Sequence, residues 1–560
     1  MARLRLDSVA FGAATLVALS VGFERLEPSL GLTPDLRLTN LRLLQLATLG
    51  LWLAACALGR RWPRLPRPIA VPAAVWLGSV GVSAVLAPTH QLFALAFARD
   101  LAVGAIWGWA VYDLATTQAR QVTLARALAI SGMAVAALGL LEAARAGPVV
   151  DWLAGFRYQD SFSIGDVPRI SSSLAHPNIM AMLLGLSLPL QLAWLLGGAR
   201  APWARLLLGL GMAAGLLALV LTLSRAGVVV TGLVLGLMAA CASWRTQPRF
   251  LRASLAAALG LLATVGVVLV SQPVLRLRLS SESAASWYRA DYATPQAVSA
   301  QPGQMASVPV RLTNTGARAW SAGGAHPFAL SYHLDVSDGS SLNYDGLRTP
   351  LPADVPPGGS IELQAQVVAP LSPGTYVLEW DGVQESVTWF TWAGTPPART
   401  MLTVTGPPAS SQQVLPATPP PSSASATPPG RLAQWRIALR MARNRPLLGQ
   451  GPDNFRWVYG DFAGIAVWDT GSHANSVYFE WLADLGLPGL AAFVWLAYRL
   501  LRTSLRSLSS VDAGWAWRLG LFGALAAWFL HGLLDYFYEP LPTNVAFWLV
   551  AALACASASM

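Results

Sequence analysis

Gly471, Ser472, His473, Ala474 and Asn475 lead straight into an apolar run that holds Gly486, Pro488 and Gly489, which places an imidazole at the mouth of a membrane helix. With an ordinary pKa near 6.5, histidine is the side chain best suited to move a proton near neutrality. It also serves as a plain polar group where a helix meets lipid headgroups. Spacing alone leaves both readings open. Three other stretches carry polar groups beside apolar runs. VPRISSSLAHPNIMAMLL sets Arg169, His176 and Asn178 just ahead of a span. LTLSRAGVVV puts Ser224 and Arg225 in a tight turn between two spans, and arginine so near hydrocarbon is costly unless it snorkels or finds a partner. His531 and Asp535 stand one helical turn apart and are expected to satisfy each other.

RLAQWRIALRMARNRPLLGQGPDNF follows a Pro/Ser-rich tract. At helical spacing Arg436, Arg440 and Arg443 share one face, and Leu432, Trp435 and Leu439 a neighbouring one. This predicts a helix lying along the membrane surface, with Arg440 either gathering an anionic headgroup over the site or only anchoring the helix by snorkelling. Two arginines and one or two histidines, with no carboxylate cluster, suggest a site for an anionic, phosphate-bearing substrate, because a guanidinium fork matches phosphate oxygens. A magnesium site would want grouped Asp or Glu. GxxxxGK[ST] is absent, which argues against a nucleotide-driven transporter.

The elements that must position these groups follow from composition. The 560 residues are 54% hydrophobic and 12% charged, with 23 Trp, and mean hydropathy is +0.48; these values belong to a polytopic membrane protein. At roughly 20 apolar residues per span, about twelve helices are expected, near 8 to 23, 41 to 58, 69 to 87, 92 to 114, 121 to 141, 178 to 197, 204 to 222, 227 to 243, 253 to 271, 477 to 498, 517 to 537 and 543 to 558. The formal charge of +10 is carried by arginine without lysine. It gathers in alternate connections, at 60 to 68, Arg120, Arg200 and Arg205, Arg245 to Arg252, and Arg499 to Arg506, so those sides and both termini are read as cytoplasmic. This is not a nucleic-acid footprint. Cys56, Cys241 and Cys555 all lie in apolar runs and offer no disulfide framework or zinc spacing. The first apolar segment is read as an anchor that is retained.

The fold class is therefore mainly α, a polytopic transmembrane bundle with an inserted β-sandwich. Residues 1–275 form the first nine spans. Alternating VPVRLTNTG, IELQAQVVAP and TYVLEW, with PPGG and SPG as turns, predict a sandwich at 290–405, similar to immunoglobulin-like modules of bacterial surface proteins. Residues 406–430 are a flexible linker, 431–476 a loop with the amphipathic helix, and 477–560 the last three spans.

SSSLAHPNIMAMLLGLSLPL, LTLSRAG and GQGPDNFRWVYGDF followed by SHANSVYFEWLADLGLPGL together resemble the bacterial O-antigen ligase and polymerase superfamily, over roughly 165 to 275 and 431 to 560. The resemblance implies an inner-membrane, metal-independent glycosyltransferase whose donor is a polyprenyl-diphosphate-linked glycan and whose site lies in the periplasm. It implies no cofactor. His473 then matches the base acting on the acceptor hydroxyl, and Arg225 and Arg169 the arginines holding the diphosphate. Ser224, His176, Asn178, Asn475 and Arg440 are candidates for lining the substrate. Relatives often carry a second histidine beside the base, where this chain has Gly471. The sandwich departs from the compact ligase and leaves the acceptor open among lipid, glycan and protein. A polymerase or a protein O-oligosaccharyltransferase would need the same base and the same grip. A bicarbonate-type transporter is a further alternative, with Arg99 and Asp100 its strongest mid-span candidates.

Overall fold

The computed structural model describes residues 2–24, 30–33, 36–154, 162–164, 167–198, 201–271, 276–277, 284–324, 326–336, 341–385, 387–407, 430–464 and 468–559. Most of the tract expected to be a linker lies outside them. Each of the twelve apolar runs is a helix: α1 (Ala2–Ser20), α2 (Asn40–Leu58), α3 (Arg67–Val85), α4 (Gln91–Leu114), α5 (Gln118–Ala143), α7 (Pro177–Gly197), α8 (Pro202–Leu221), α9 (Arg225–Trp244), α10 (Pro248–Ser271), α13 (Val477–Arg506), α14 (Trp515–His531) and α15 (Leu541–Ala558). Ten of these are long and apolar enough to cross a membrane; the apolar part of α1, Leu6–Ser20, and α14 are shorter. The short helices α6 (Gly147–Ala154), α11 (Arg431–Asn444) and α12 (Phe455–Ala463) complete the set among the described residues.

Buried apolar side chains of α7, α14 and α15 lie at the centre of the largest core, and a second cluster packs α9 and α10 against the other face of α14. Beneath the His473 end sits an aromatic cluster. Trp481 packs 5.6 Å from Trp76 and 5.3 Å from Tyr538. Backbone amides inside such a bundle satisfy one another along each helix, which is what allows the chain to sit in lipid. The arginine-rich connections meet at one end, where Arg67, Arg499, Arg506 and Arg518 line a single cleft. There too Asp113, 1% exposed, holds Arg61 at 2.8 Å.

The β-rich insertion consists of a seven-stranded mixed sheet and a three-stranded antiparallel sheet. Leu330, Leu378 and Leu402 from the first meet Val308, Leu312 and Leu363 from the second in one core with Trp287, Trp320 and Trp380. That is a sandwich, with alternate residues inward as the sequence pattern requires. Leu223, in the turn between α8 and α9, packs against this core.

α13 breaks at Gly486, where φ is 70° and ψ −171°. A Cβ there would meet the Pro446 carbonyl oxygen at 2.5 Å, and at Gly449 (φ 66°) the Asp484 backbone at 2.2 Å. Only glycine permits so close an approach in the left-handed region. The GQGP loop therefore docks into the break. It is fixed there by Asp484, whose carboxylate accepts from the Asp453 N–H at 2.7 Å and the Phe455 N–H at 2.9 Å.

Candidate active site

His473 lies in the turn entering α13. Its Nδ1 is 2.7 Å from Glu480 Oε1, and Glu480 Oε2 accepts from the Ala474 N–H at 2.7 Å. Glu480 is fully buried in the first turn of α13, where a carboxylate is favoured by the helix N-terminus. The His473 side chain is 15% exposed, and its ring lies 4.5 Å from that of Tyr536. With Nδ1 engaged, Nε2 is left for a substrate. Burial alone would discharge the ring; the Glu480 carboxylate, through its charge and its hydrogen bond, followed by Asp453 and Glu539, outweighs burial and pushes the imidazole up to about 9. Burial also pushes Asp453 up, to about 6, against the pull of His473 and of Arg456, with which it pairs at 2.6 Å.

Carboxylates thus do gather around the histidine, contrary to the sequence expectation of none. Glu480 and Asp484 lie one helical turn apart on α13, and Asp453, far earlier in the chain, meets them only because the GQGP loop folds into the break of α13. Glu480 and Asp484 are engaged by backbone N–H groups, and among the described residues no group of three or more His, Cys, Asp or Glu could hold a metal ion. Asp453 Oδ1 and the Tyr536 hydroxyl are buried without a hydrogen-bond partner. Buried polar atoms of this kind ordinarily find one.

Asn475, at φ 50°, donates to Gln434 Oε1 at 2.6 Å, and Gln434 donates to Ser472 Oγ at 2.9 Å. Asn475 thereby ties the histidine turn to α11. Arg440 is exposed and donates to the Phe462 carbonyl at 3.1 Å. The face of α11 that packs inward is Ile437, Ala438 and Met441, against Phe455, Val458 and Tyr459. Leu432 and Leu439, expected to be its apolar seat, are 53% and 40% exposed. That leaves the Leu432 and Leu439 side of α11 facing away from α12.

A second group forms around Asp535. Arg169 donates to the Thr222 carbonyl at 2.8 Å and to Asn178 Oδ1 at 2.7 Å, and Asn178 donates to Asp535 Oδ2 at 2.5 Å. The expected His531–Asp535 pair does not form. α14 ends at His531, so the two no longer share a helix face, and His531 Nε2 is buried without a partner. His176 caps α7 by accepting from the Asn178 N–H at 3.1 Å. Burial, then Arg169, drives its pKa down to about 3, and the ring is neutral. Ser224 caps α9, accepting from the Gly227 N–H at 3.2 Å, which fixes Arg225 as the first residue of that helix. Arg431, which sequence reasoning missed, opens α11 and acts electrostatically on Arg225, His531 and Asp535. Its place five residues before Arg436, at the start of the same arginine-rich stretch, was the available signal.

The two groups are joined by one short segment. The Val477 N–H is shared between the carbonyls of Gly532 at 2.8 Å and Asp535 at 3.1 Å, and Tyr536 follows Asp535 directly. Arg225 also marks the polar end of an apolar groove of about 680 Å³ lined by Val228, Leu233, Leu262, Val265 and Leu269. Arg99 and Asp100 pair with each other at 3.2 Å, and Arg42 joins Asp100 at 3.3 Å.

Residues 387–494 match the family model for O-antigen ligase, from the last strands of the sandwich through α11, the GQGP loop and His473 into α13. Over this segment the chain is similar to the O-antigen ligase family. The match sits in a chain with ten helices long and apolar enough to cross a membrane among its described residues. The SSSLAHPN and LTLSRAG segments lie outside the matched residues. No curated protein matches the chain. Among solved structures, the Pseudomonas fluorescens alkylpurine DNA glycosylase bound to DNA containing an abasic site analogue aligns at 11% identity over 59% of this chain and 97% of that one, with a TM-score of 0.14. A score that low carries no likeness of fold.

Proposed function

We propose that this ligase-type enzyme transfers a glycan from a polyprenyl diphosphate to an acceptor hydroxyl, at the end of the bundle facing away from the cytoplasm. The acceptor oxygen attacks the anomeric carbon, its proton passes to His473 Nε2, and the carbon–oxygen bond to the diphosphate breaks with inversion. Glu480 orients the imidazole and stabilises the imidazolium that forms, as the carboxylate of a catalytic triad does. Arg225, Arg169 and Arg431 meet the negative charge that develops on the departing diphosphate, with Asn178 and Asp535 holding Arg169 in place. The acceptor is a lipid or glycan hydroxyl; a protein hydroxyl would use the same groups.

The observation that carries this reading is the joining of a histidine–glutamate pair to an arginine group through residues 532–536. The groove ending at Arg225 suits an isoprenoid tail whose diphosphate meets that guanidinium. The arginine-rich connections at the opposite end support the cytoplasmic membrane with both termini inside. The test is release of polyprenyl diphosphate coupled to glycan transfer by the purified protein. Release that proceeds equally without His473 and without Arg225 would overturn it.

A further inference from the structure

The sandwich carries a surface that the transfer reaction does not use. The strands Phe328–Val336, Ser341–Asn343, Gly374–Gln384 and Thr388–Trp389 bring Tyr344 and Trp392 side by side just beyond their ends. Trp392 Nε1 donates to the Tyr344 hydroxyl at 2.7 Å, and the two rings are 17° from parallel with centroids 6.4 Å apart. An indole N–H lies in its ring plane, so this bond sets the rings edge to edge in one nearly flat sheet. One face of Tyr344 is covered by His333, stacked at 4.0 Å and 19°. Trp389, 7% exposed, packs 4.7 Å from His333. Trp392 is 40% exposed.

Planar polar groups stand around this surface in fixed positions. Arg348 pairs with Asp345 at 2.6 Å and Glu385 at 2.7 Å, donates to Ser331 Oγ at 3.1 Å, and lies over the Trp389 ring at 4.7 Å. The side chains of Asp345, Arg348 and Glu385 remain 42%, 30% and 34% exposed.

We propose that the Tyr344–Trp392 surface is an oligosaccharide-binding site, in which a pyranose ring stacks its apolar face on the indole while Asp345, Arg348 and Glu385 take its hydroxyls. A pyranose has this combination of a flat C–H face and a rim of hydroxyls. Aromatic rings with a rigid, partly wet setting match the first part, and charged planar side chains the second. A bound peptide would be held instead chiefly by main-chain hydrogen bonds along a strand edge or by a concave pocket, and neither needs a pair of aromatic rings ringed by charged planar groups. The proposal does not rest on the transfer chemistry.

The test uses the whole chain in lipid nanodiscs, probed on an array of bacterial polysaccharide fragments and simple homo-oligosaccharides, with dissociation constants measured for the hits. Trp392→Ala and Tyr344→Ala should each weaken binding by roughly tenfold or more, the loss typical of a removed aromatic anchor, while Trp392→Phe keeps part of it. Trp62→Ala, at a tryptophan 93% exposed elsewhere, should change nothing. Unaltered thermal melting shows that the variants fold. Wild-type protein that binds no glycan on the array would overturn the site. So would binding indifferent to Trp392 and Tyr344, or a displayed peptide library captured through these rings in place of glycans.

Discussion

The histidine group and the arginine group sit a few residues apart along the 531–539 segment and are built on opposite principles. Around His473 the charges are matched and locked: Glu480 takes the ring and a backbone N–H, and Asp453 takes Arg456. Around Asp535 two guanidinium groups, Arg169 and Arg431, share the field of one carboxylate, and Arg431 in turn acts on Arg225. The first arrangement tunes a proton acceptor; the second suits an anion arriving from outside.

The contrast can be broken from either side. His473→Ala should cost the most, roughly a hundredfold to ten-thousandfold in turnover, with the donor KM nearly unchanged; steady-state kinetics with separate donor and acceptor titrations would show it. Arg225→Lys should lower turnover by roughly a hundredfold, close to the effect of Arg225→Ala, since an ammonium cannot reproduce a bidentate grip. Retained rate and KM in the lysine variant would contradict the diphosphate assignment. Glu480→Gln sharpens the comparison through pH. With the folded imidazole at about 9, the neutral form that accepts a proton is roughly one molecule in a hundred at pH 7, so the wild-type rate should climb with pH and level off near 9. Removing the carboxylate takes away the largest raising influence, so the same limb in the variant should shift to lower pH and end on a lower plateau. The stability linkage runs the other way: a raised imidazole pKa stabilises the fold fully below about 6.5 and ceases to do so as pH passes about 9. Arg431→Ala should give a smaller loss, on the order of tenfold and mainly in donor KM, because Arg169 and Arg225 remain. Deleting 295–405 should spare basal transfer and alter acceptor choice.

The helices were legible because lipid demands long apolar runs, and every run became a helix. The sandwich was legible from period-two alternation with Pro/Gly turns. Arg169, Asn178, Arg225 and His473 were legible as polar groups at span ends. Glu480 was not, because a glutamate seven residues after a histidine reads as a surface residue of the next helix. The tight turn at Asn475 brings His473 back over the first turn of α13, where Glu480 meets it. Asp453 and Asp484 were hidden for the same reason. His531 and Asp535 misled because their spacing fitted a helix that ends at the histidine.

The central claim is tested most directly by transfer in lipid vesicles. Purified protein is given a polyprenyl-diphosphate glycan and candidate acceptors, with a chelator present, as wild type and as His473→Ala across pH 6 to 10. The account predicts product and released polyprenyl diphosphate that resist the chelator, require His473 and rise toward pH 9. Turnover that survives without His473, or that falls steadily as pH rises from neutral, would contradict the assignment of His473 as the base.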